Sequence, residues 1–535
     1  MLESGRPRRR GLYVALAAGL AILLAAAAVL AYAATSQPTL SADPLALAQL
    51  GLPFGGGSVE RVTVVGGREQ QLVPVKLRQG QIWPTGLLDV HERIAIDVTV
   101  KRPGWISWLS GDTQRVRLTL FTPSARLRAQ YVTVRSGQPL RLSFAQPVRV
   151  LEYGSTAEHL SRRVLSSPTG SVSLPAPAPA GTLAVAAAPR VWESPRPRFV
   201  SWFPPGTAAT AVASPAPGSQ ILPDTHITLT FSKPVAEVLG DHLPPVSPTT
   251  AGNWRKVNSH TIVFEPQGYG YGLGSSVTIP LPSGVRLLGA QAHGADPLGR
   301  WSVPVGSTLR LQQMLAILGY LPLSFHYDGA HVAPTLDAQM KAALHPPAGH
   351  FDWRYPNTPS VLRSAWAAGS AGVITRGAVM AFEDDHGITP DGVAGPQVWK
   401  AVIEADMKGD RSSFGYTYVM VSEGSPESIE VWHNGHTVVT GPVNTGVAAA
   451  PTATGTYPVF EHLRVTTMSG TNPDGSHYSD PGIPWVSYFN GGDALHGFIR
   501  GSYGFPQSDG CVEMPYSQAA RVYPYTPIGT LVNVS

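Results

Sequence analysis

A chain of 535 residues exceeds what one hydrophobic core organises, so roughly three to five domains are expected. Charged residues make up only 14 %, and 50 prolines with 56 glycines favour turns and extended segments over long surface helices, so the expected class is multidomain and mainly β. The formal charge of +4 is small for this length, which argues against a nucleic-acid partner held by a basic surface.

Much of the basic character sits at Arg6, Arg8, Arg9 and Arg10, and Gly11 to Ala34 then runs without a charge. That run is long enough to cross the hydrocarbon core of a bilayer as a helix, with the arginines kept on the cytoplasmic side. Residues 1–36 are therefore read as a basic tip and a transmembrane anchor. A cleaved signal peptide is the competing reading, because Ala31-Tyr32-Ala33 has the small-x-small form of a cleavage site. Either reading exports the rest of the chain.

After a small, polar tether over residues 37–57, a β-domain is expected at 58–165. Val59 to Val65, Arg93 to Val100 and Gln114 to Phe121 have the β-branched composition of strands, and Gly66-Gly67 and Arg102-Pro103-Gly104 mark turns. Pro103 to Leu109, with two tryptophans, reads as a packing hairpin. Residues 166–206, including Pro175-Ala176-Pro177-Ala178-Pro179, read as a Pro/Ala-rich linker. At 207–306 the alternating strand His226 to Val235, with its Thr-Phe-Ser-Lys-Pro-Val run, and Trp254 resemble a bacterial immunoglobulin-like domain. The resemblance implies a spacer, and β-sandwich-like domains are expected on both sides of the linker.

The period changes after Ser307. Leu309, Gln312, Leu315 and Leu318 recur at three-residue spacing before Gly319, and Ala378, Val379, Phe382 and His386 precede Gly387. Pro390-Asp391-Gly392 is a turn, and Pro396 suits the first turn of a closing helix. Leu311 to Tyr320, together with Ala381 to Pro396, resembles the peptidoglycan-binding repeat of cell-wall enzymes, which implies a small helical domain over 307–408. The stretch from Phe325 to Val373, with Phe351-Asp-Trp-Arg-Tyr-Pro356, is longer than that repeat's usual connection. Leu315, Phe382 and Trp399 read as core. His326 and His386 sit in no compact ligand motif, so no metal site is expected.

From Tyr416 onward strands return, with Asn434-Gly435 as the turn of a hairpin. The chain has one cysteine, Cys511, so no intramolecular disulfide is possible even though the exported compartment would preserve one. A thiol attacks an amide carbonyl as thiolate, so it needs a base nearby and donors for the developing oxyanion. His496, in Leu495-His-Gly497, is the candidate base. Ser508-Asp509-Gly510-Cys511 supplies a glycine that lets the backbone approach the reacting carbonyl, and the amides of Asp509, Gly510 and Cys511 are candidate oxyanion donors. Tyr478, Trp485, Tyr488, Arg500 and Gly497 are candidates for the substrate cleft.

Thr445-Gly, Pro451 to Val459, Ala494-Leu-His-Gly497 and Ser508 to Met514, in that order, resemble the catalytic domain of the L,D-transpeptidases, the YkuD family, over about 120 residues at 414–535. The fold expected for the whole chain is then an N-terminal transmembrane helix, β-sandwich-like domains, a small helical peptidoglycan-binding domain and a C-terminal β-rich transpeptidase domain. The resemblance implies a two-step acyl transfer on peptidoglycan stem peptides through Cys511 that makes 3-3 cross-links in the cell envelope, with acylation by carbapenems and no cofactor. Where the family usually has histidine this chain has Asp509, and Glu513 replaces a frequent asparagine or arginine. Both carboxylates are expected to disfavour the thiolate, with Arg500 placed to offset them. Hydrolysis by an L,D-carboxypeptidase and a non-catalytic wall-binding scaffold are the rival functions.

Overall fold

The computed structural model describes residues 9–288 and 299–535, apart from Gly55, Arg68 and Pro177. Arg6 and Arg8 of the basic tip lie outside the described residues. The chain divides into two compact units, one holding the residues up to 212, the other 213–287 and the residues from 299 onward.

The first unit opens with the helix Arg9–Thr35, whose segment Gly11–Thr35 is long and apolar enough to cross a membrane. An antiparallel sheet follows in which Arg93–Lys101 lies between Ser58–Gly66 and Thr113–Phe121. Its central strand alternates buried and half-buried residues, sending Ile94, Ile96, Val98 and Val100 into one core, as a period of two requires.

Three expectations fail in this unit. Residues 37–57 are not a plain tether, because Thr39–Ala42 and Ala48–Gly51 pair as strands. Pro103 to Leu109 is not a hairpin: Gly104–Ser110 is a short helix that buries Ile106 and leaves Trp105 and Trp108 exposed. Pro103, with φ −63°, is already pre-set for a helix start there.

Residues 166–206 are not a linker either. Gly181–Ala188 and Arg198–Phe203 are inner strands of a five-stranded sheet, with Ser161–Leu174 at its edge. Buried alanines at 184, 186 and 188 replace the β-branched signal that marks most strands, and Pro168 is tolerated because its strand is an edge. Of the Pro/Ala run, Pro177 lies outside the described residues, and Ala178 accepts a hydrogen bond from Trp202 Nε1 at 2.9 Å.

In the second unit, Gly252–Lys256, Thr261–Pro266 and Ile227–Phe231 form an antiparallel set, with Trp254 packed on Phe264. The helical segment contains Thr308–Ile317, Val373–Asp385 and Pro396–Lys408, stopped where expected by Gly319 at φ +89° and Gly387 at φ +65°. Leu315, Phe382 and Trp399 are buried together. Arg310, fully buried, donates to Gln339 Oε1, Asp406 Oδ2 and Tyr327 Oη, so its charge is paired and hydrogen-bonded. The long insertion is structured: Leu323–Tyr327 pairs with Gly349–Trp353, and the helices Leu336–Leu344 and Ser360–Ser364 flank them.

The C-terminal segment folds as two sheets. Thr417–Ser422 lies between Ser428–His433 and the parallel strand Leu531–Val534. Asn434 and Gly435, both at positive φ, make the tight turn to His436–Pro442 that the sequence predicts. In the second sheet Glu461–Thr471, His477–Asn490, Asp493–Gly497 and Val512–Met514 follow in order. Tyr416, Tyr418, Trp432 and Leu531 belong to the same apolar cluster as Leu315 and Phe382, so the helical segment and the C-terminal segment share one core.

Candidate active site

Asp493–Gly497 and Val512–Met514 run parallel, with Leu495 opposite Val512 and His496 opposite Glu513. Because side chains alternate along a strand, this register puts Cys511, Glu513, Ala494 and His496 on one face. Leu495, Val512 and Met514 point the other way, into a core of their own. On the first face Cys511 and His496 line one cavity of about 270 Å³, together with Tyr478, Asp480, Arg500, Ser508, Asp509 and Glu513.

His496 is 3 % exposed, and its Nδ1 lies 3.1 Å from the carbonyl oxygen of Gly497. A carbonyl only accepts, so Nδ1 carries the proton and Nε2 is left as the basic nitrogen. Burial holds the His496 imidazole below its ordinary pKa, which keeps it neutral and ready to accept. Gly497 is tight: an added Cβ would meet Tyr516, Ala519 and Pro484 at 3.0–3.3 Å.

Cys511 is half-buried, and its Sγ lies 3.5 Å from the Gly492 carbonyl oxygen. Burial pushes its thiol up to about 12, with further upward contributions from the Asp493, Glu513 and Asp509 carboxylates. The like-charge penalty expected for Asp509 and Glu513 is therefore present, but loss of water is the larger cause.

The motif loop is held from both sides. Ser508 Oγ donates to the Cys511 carbonyl oxygen at 2.5 Å and accepts from the Gly510 amide at 3.3 Å. That bond engages one of the three amides expected to serve an oxyanion and leaves those of Asp509 and Cys511 as the candidates. Gly510 has φ +115°, and an added Cβ would come within 2.7 Å of Asp493 Oδ1, so the position calls for glycine. The Ser508 and Gln507 amides donate to the Thr445 carbonyl oxygen at 3.0 and 2.9 Å. Thr445 is fixed in turn by Glu427, 2 % exposed, which accepts from its amide at 2.6 Å and its hydroxyl at 2.7 Å. Glu427 carried no motif in the sequence; it lies in the Gly/Pro-containing connection between Thr417–Ser422 and Ser428–His433.

Of the proposed cleft aromatics, Tyr478 lines the cavity, and both Tyr478 and Tyr488 join the apolar cluster that contains Cys511. Burial first, and the neighbouring Cys511 charge second, push both phenols up. Trp485 does not join the lining. Its left-handed backbone, φ 55°, interrupts the alternation of its strand, and the ring meets Tyr516 edge-on at 5.7 Å. Asp480 was missed, although its i+2 spacing from Tyr478 on a strand places both on the same face. Elsewhere His386 stacks on Phe382 and His326 on His350.

Residues 416–534 match the YkuD family, described as the L,D-transpeptidase catalytic domain, and residues 364–402 match the peptidoglycan binding domain. No curated protein matches the chain. Among solved structures, the chain is similar to the catalytic domain of the E. faecium L,D-transpeptidase acylated by ertapenem, with 24 % identity over 22 % of this chain and 97 % of that one, TM-score 0.21. An L,D-transpeptidase from Mycobacterium smegmatis matches at 12 % identity over 62 % of this chain and 100 % of that one, TM-score 0.20. L,D-transpeptidase 3 from Mycobacterium tuberculosis matches at 11 % identity over 60 % and 97 %, TM-score 0.21. The chain thus carries a YkuD-family L,D-transpeptidase catalytic domain at 416–534, preceded by a peptidoglycan-binding domain that includes 364–402.

Proposed function

We propose that the chain is an extracytoplasmic L,D-transpeptidase that forms 3-3 cross-links between peptidoglycan stems through a Cys511 acyl-enzyme. The observation that carries this reading is the strand register that puts Cys511 and His496 on one face and in one cavity.

With the thiol at about 12 and the imidazole held neutral, the resting pair is uncharged, so the proton moves as the bond forms. His496 Nε2 takes the Cys511 proton while Sγ adds to the carbonyl carbon of the L-to-D amide, and the Asp509 and Cys511 amides receive the oxyanion. Collapse expels the terminal D-alanine, whose amine takes the proton from His496. A side-chain amine of a second stem then attacks the thioester and passes its proton to His496. The new amide forms and the Cys511 thiolate leaves, regaining its proton from His496.

In this reading the helical domain binds the wall, residues 207–306 act as an immunoglobulin-like spacer, and carbapenems acylate Cys511. The helix Arg9–Thr35 anchors the chain in the membrane, and its length and apolar composition support that reading.

Mass spectrometry of the full chain with a disaccharide-tetrapeptide, beside Cys511→Ala, tests the reading. A dimer lacking one D-alanine, absent from the variant, is the expected result. Tripeptide alone would replace it with an L,D-carboxypeptidase. The raised thiol favours one rival, a wall-binding scaffold, and bound substrate without any product would establish that instead.

A further inference from the structure

We infer that the first β-domain rests directly on the bilayer, with Trp105, Trp108, Leu109 and Phe54 set into the interfacial layer of the outer leaflet beside the point where the N-terminal helix emerges. The inference rests on reading Arg9–Thr35 as a membrane anchor.

The junction between helix and domain is not a loose tether. Ala33 is fully buried, and Arg102, 8 % exposed, donates from Nη1 to the Ala34 carbonyl oxygen at 3.1 Å and from Nη2 to that of Ser36 at 3.3 Å. A guanidinium on the last carbonyls satisfies groups that the helix end leaves open and suits the negative end of its dipole. The same Nη2 donates to Gln114 Oε1 at 2.7 Å, tying the helix end to the sheet.

Arg102 also leads into the short helix Gly104–Ser110, which touches the Arg9–Thr35 helix. Only Ile106 of that short helix is buried; Trp105 is 47 % exposed, Trp108 73 % and Leu109 51 %. Phe54, 62 % exposed, extends the patch, with its ring centroid 6.1 Å from that of Trp105. Neither Leu52 to Gly57 nor Pro103 to Gly111 contains a charged residue.

Large exposed aromatics in a charge-free patch mark a surface that water does not cover in the working state. The occupant is fixed by continuity. The patch abuts the outer end of a helix whose exposed Tyr13 and Tyr32 lie near its two ends, where interfacial aromatics are enriched. At about 1.5 Å per residue, Gly11–Thr35 spans more than the hydrocarbon core of about 30 Å, so its last turn reaches the headgroup level where the short helix lies. Indole rings favour that layer because one end is apolar and the other wet.

The test uses the full chain in nanodiscs with Cys511→Ser, which frees the single cysteine for labelling. A spin label at Trp108→Cys is expected to show bilayer depth, with contact to dissolved oxygen exceeding contact to a water-soluble nickel complex. A label at Val257→Cys is expected to be aqueous, and one at Ile22→Cys deep. An aqueous label at 108 with a deep label at 22 overturns the inference and leaves the anchor standing. Aqueous labels at both positions overturn the anchor and the inference with it. A label at 108 shielded from both agents assigns the patch to a second copy of the chain and overturns the inference. As a readout free of labels, tryptophan quenching by lipids brominated near the headgroup is expected to fall in the full chain with Trp105→Ser and Trp108→Ser. Unchanged quenching overturns the inference.

Discussion

Arg500 and Glu513 form a two-pronged ion pair in the wall of the cavity that holds Cys511, Nε to Oε2 and Nη2 to Oε1 both at 2.7 Å. The planar fork of the guanidinium fits a carboxylate in this way, and the Phe498 ring backs it at 4.6 Å. Arg500 is thereby committed to Glu513 and to the Gln507 carbonyl oxygen, which limits it as a free substrate clamp. Its role in the reading above is to neutralise a carboxylate that is only 4 % exposed.

Removing one partner of such a pair strands the other. Arg500→Gln is expected to cost about 3–5 kcal/mol in urea unfolding, because Glu513 is left charged and buried. Arg500→Gln with Glu513→Gln is expected to recover most of that loss, since both charges go together. Equal losses in the single and double variants would show that Glu513 has no need of the arginine.

The thiol gives a second expectation. With Cys511 at about 12, the thiolate fraction grows about tenfold per pH unit across neutral pH. The rate of alkylation by iodoacetamide should therefore climb from pH 6 to pH 10 without levelling. A plateau near neutral pH would mean a resting thiolate-imidazolium pair instead. Asp509→Asn removes one charge that pushes the thiol up, and because Asp509 is exposed its effect is screened. An increase of about threefold in the rate at pH 8 is expected, equivalent to roughly half a pKa unit.

The shared core predicts how the C-terminal segment responds to damage in the helical one. Tyr355 donates its hydroxyl proton to Asn434 Oδ1 at 2.6 Å and packs edge-on against Trp432, with centroids 5.2 Å apart. Asn434 Oδ1 also accepts from the Tyr416 amide at 2.9 Å, so the insertion grips the tight turn of the catalytic domain. Tyr355→Phe is expected to cost about 1 kcal/mol, one hydrogen bond. Tyr355→Ala is expected to cost about 3–4 kcal/mol, mostly lost packing. Residues 299–535 should unfold in one transition followed by far-ultraviolet dichroism and by tryptophan fluorescence alike; two separated transitions would show independent cores.

What was legible in the sequence was what short-range chemistry encodes. Asn434-Gly435 announces a tight turn because its backbone needs positive φ, and Gly319 and Pro396 bound helices for reasons carried by the residues themselves. Cys511 and His496 were legible through their glycine contexts. Pairings between distant residues were not. Arg500 was expected to offset the Asp509 and Glu513 charges, but nothing local gives its two-pronged fit to Glu513 alone, or says that Glu427 reaches Thr445 to steady the motif loop. The strands at 181–188 and 198–203 were missed for a related reason. Alanine has weak strand preference, so Gly181–Ala188 shows little local signal, and the pairing that makes Arg198–Phe203 an inner strand beside it is a tertiary fact. Trp105 and Trp108 were expected to pack because tryptophan is usually buried, and they are exposed on a helix beside the N-terminal one.

Glu383 offers a pH test in the peptidoglycan-binding domain. It is 1 % exposed, its Oε2 accepts from the Gly392 amide at 2.8 Å, and burial, aided by the Asp391 charge, pushes its carboxyl up to about 7 from 4.5. An acid raised on folding holds its proton in the folded state after the unfolded chain has lost it. Stability from this group is therefore full below about 4.5 and declines as pH rises to about 7, by up to about 3 kcal/mol. Glu383→Gln keeps the acceptor for Gly392 and removes the titration. The variant should match the parent near pH 4.5 and exceed it by about 2–3 kcal/mol at pH 8 in urea unfolding, because only the parent then carries a buried charge. A constant difference between the two across that range would place the Glu383 carboxylate in contact with water.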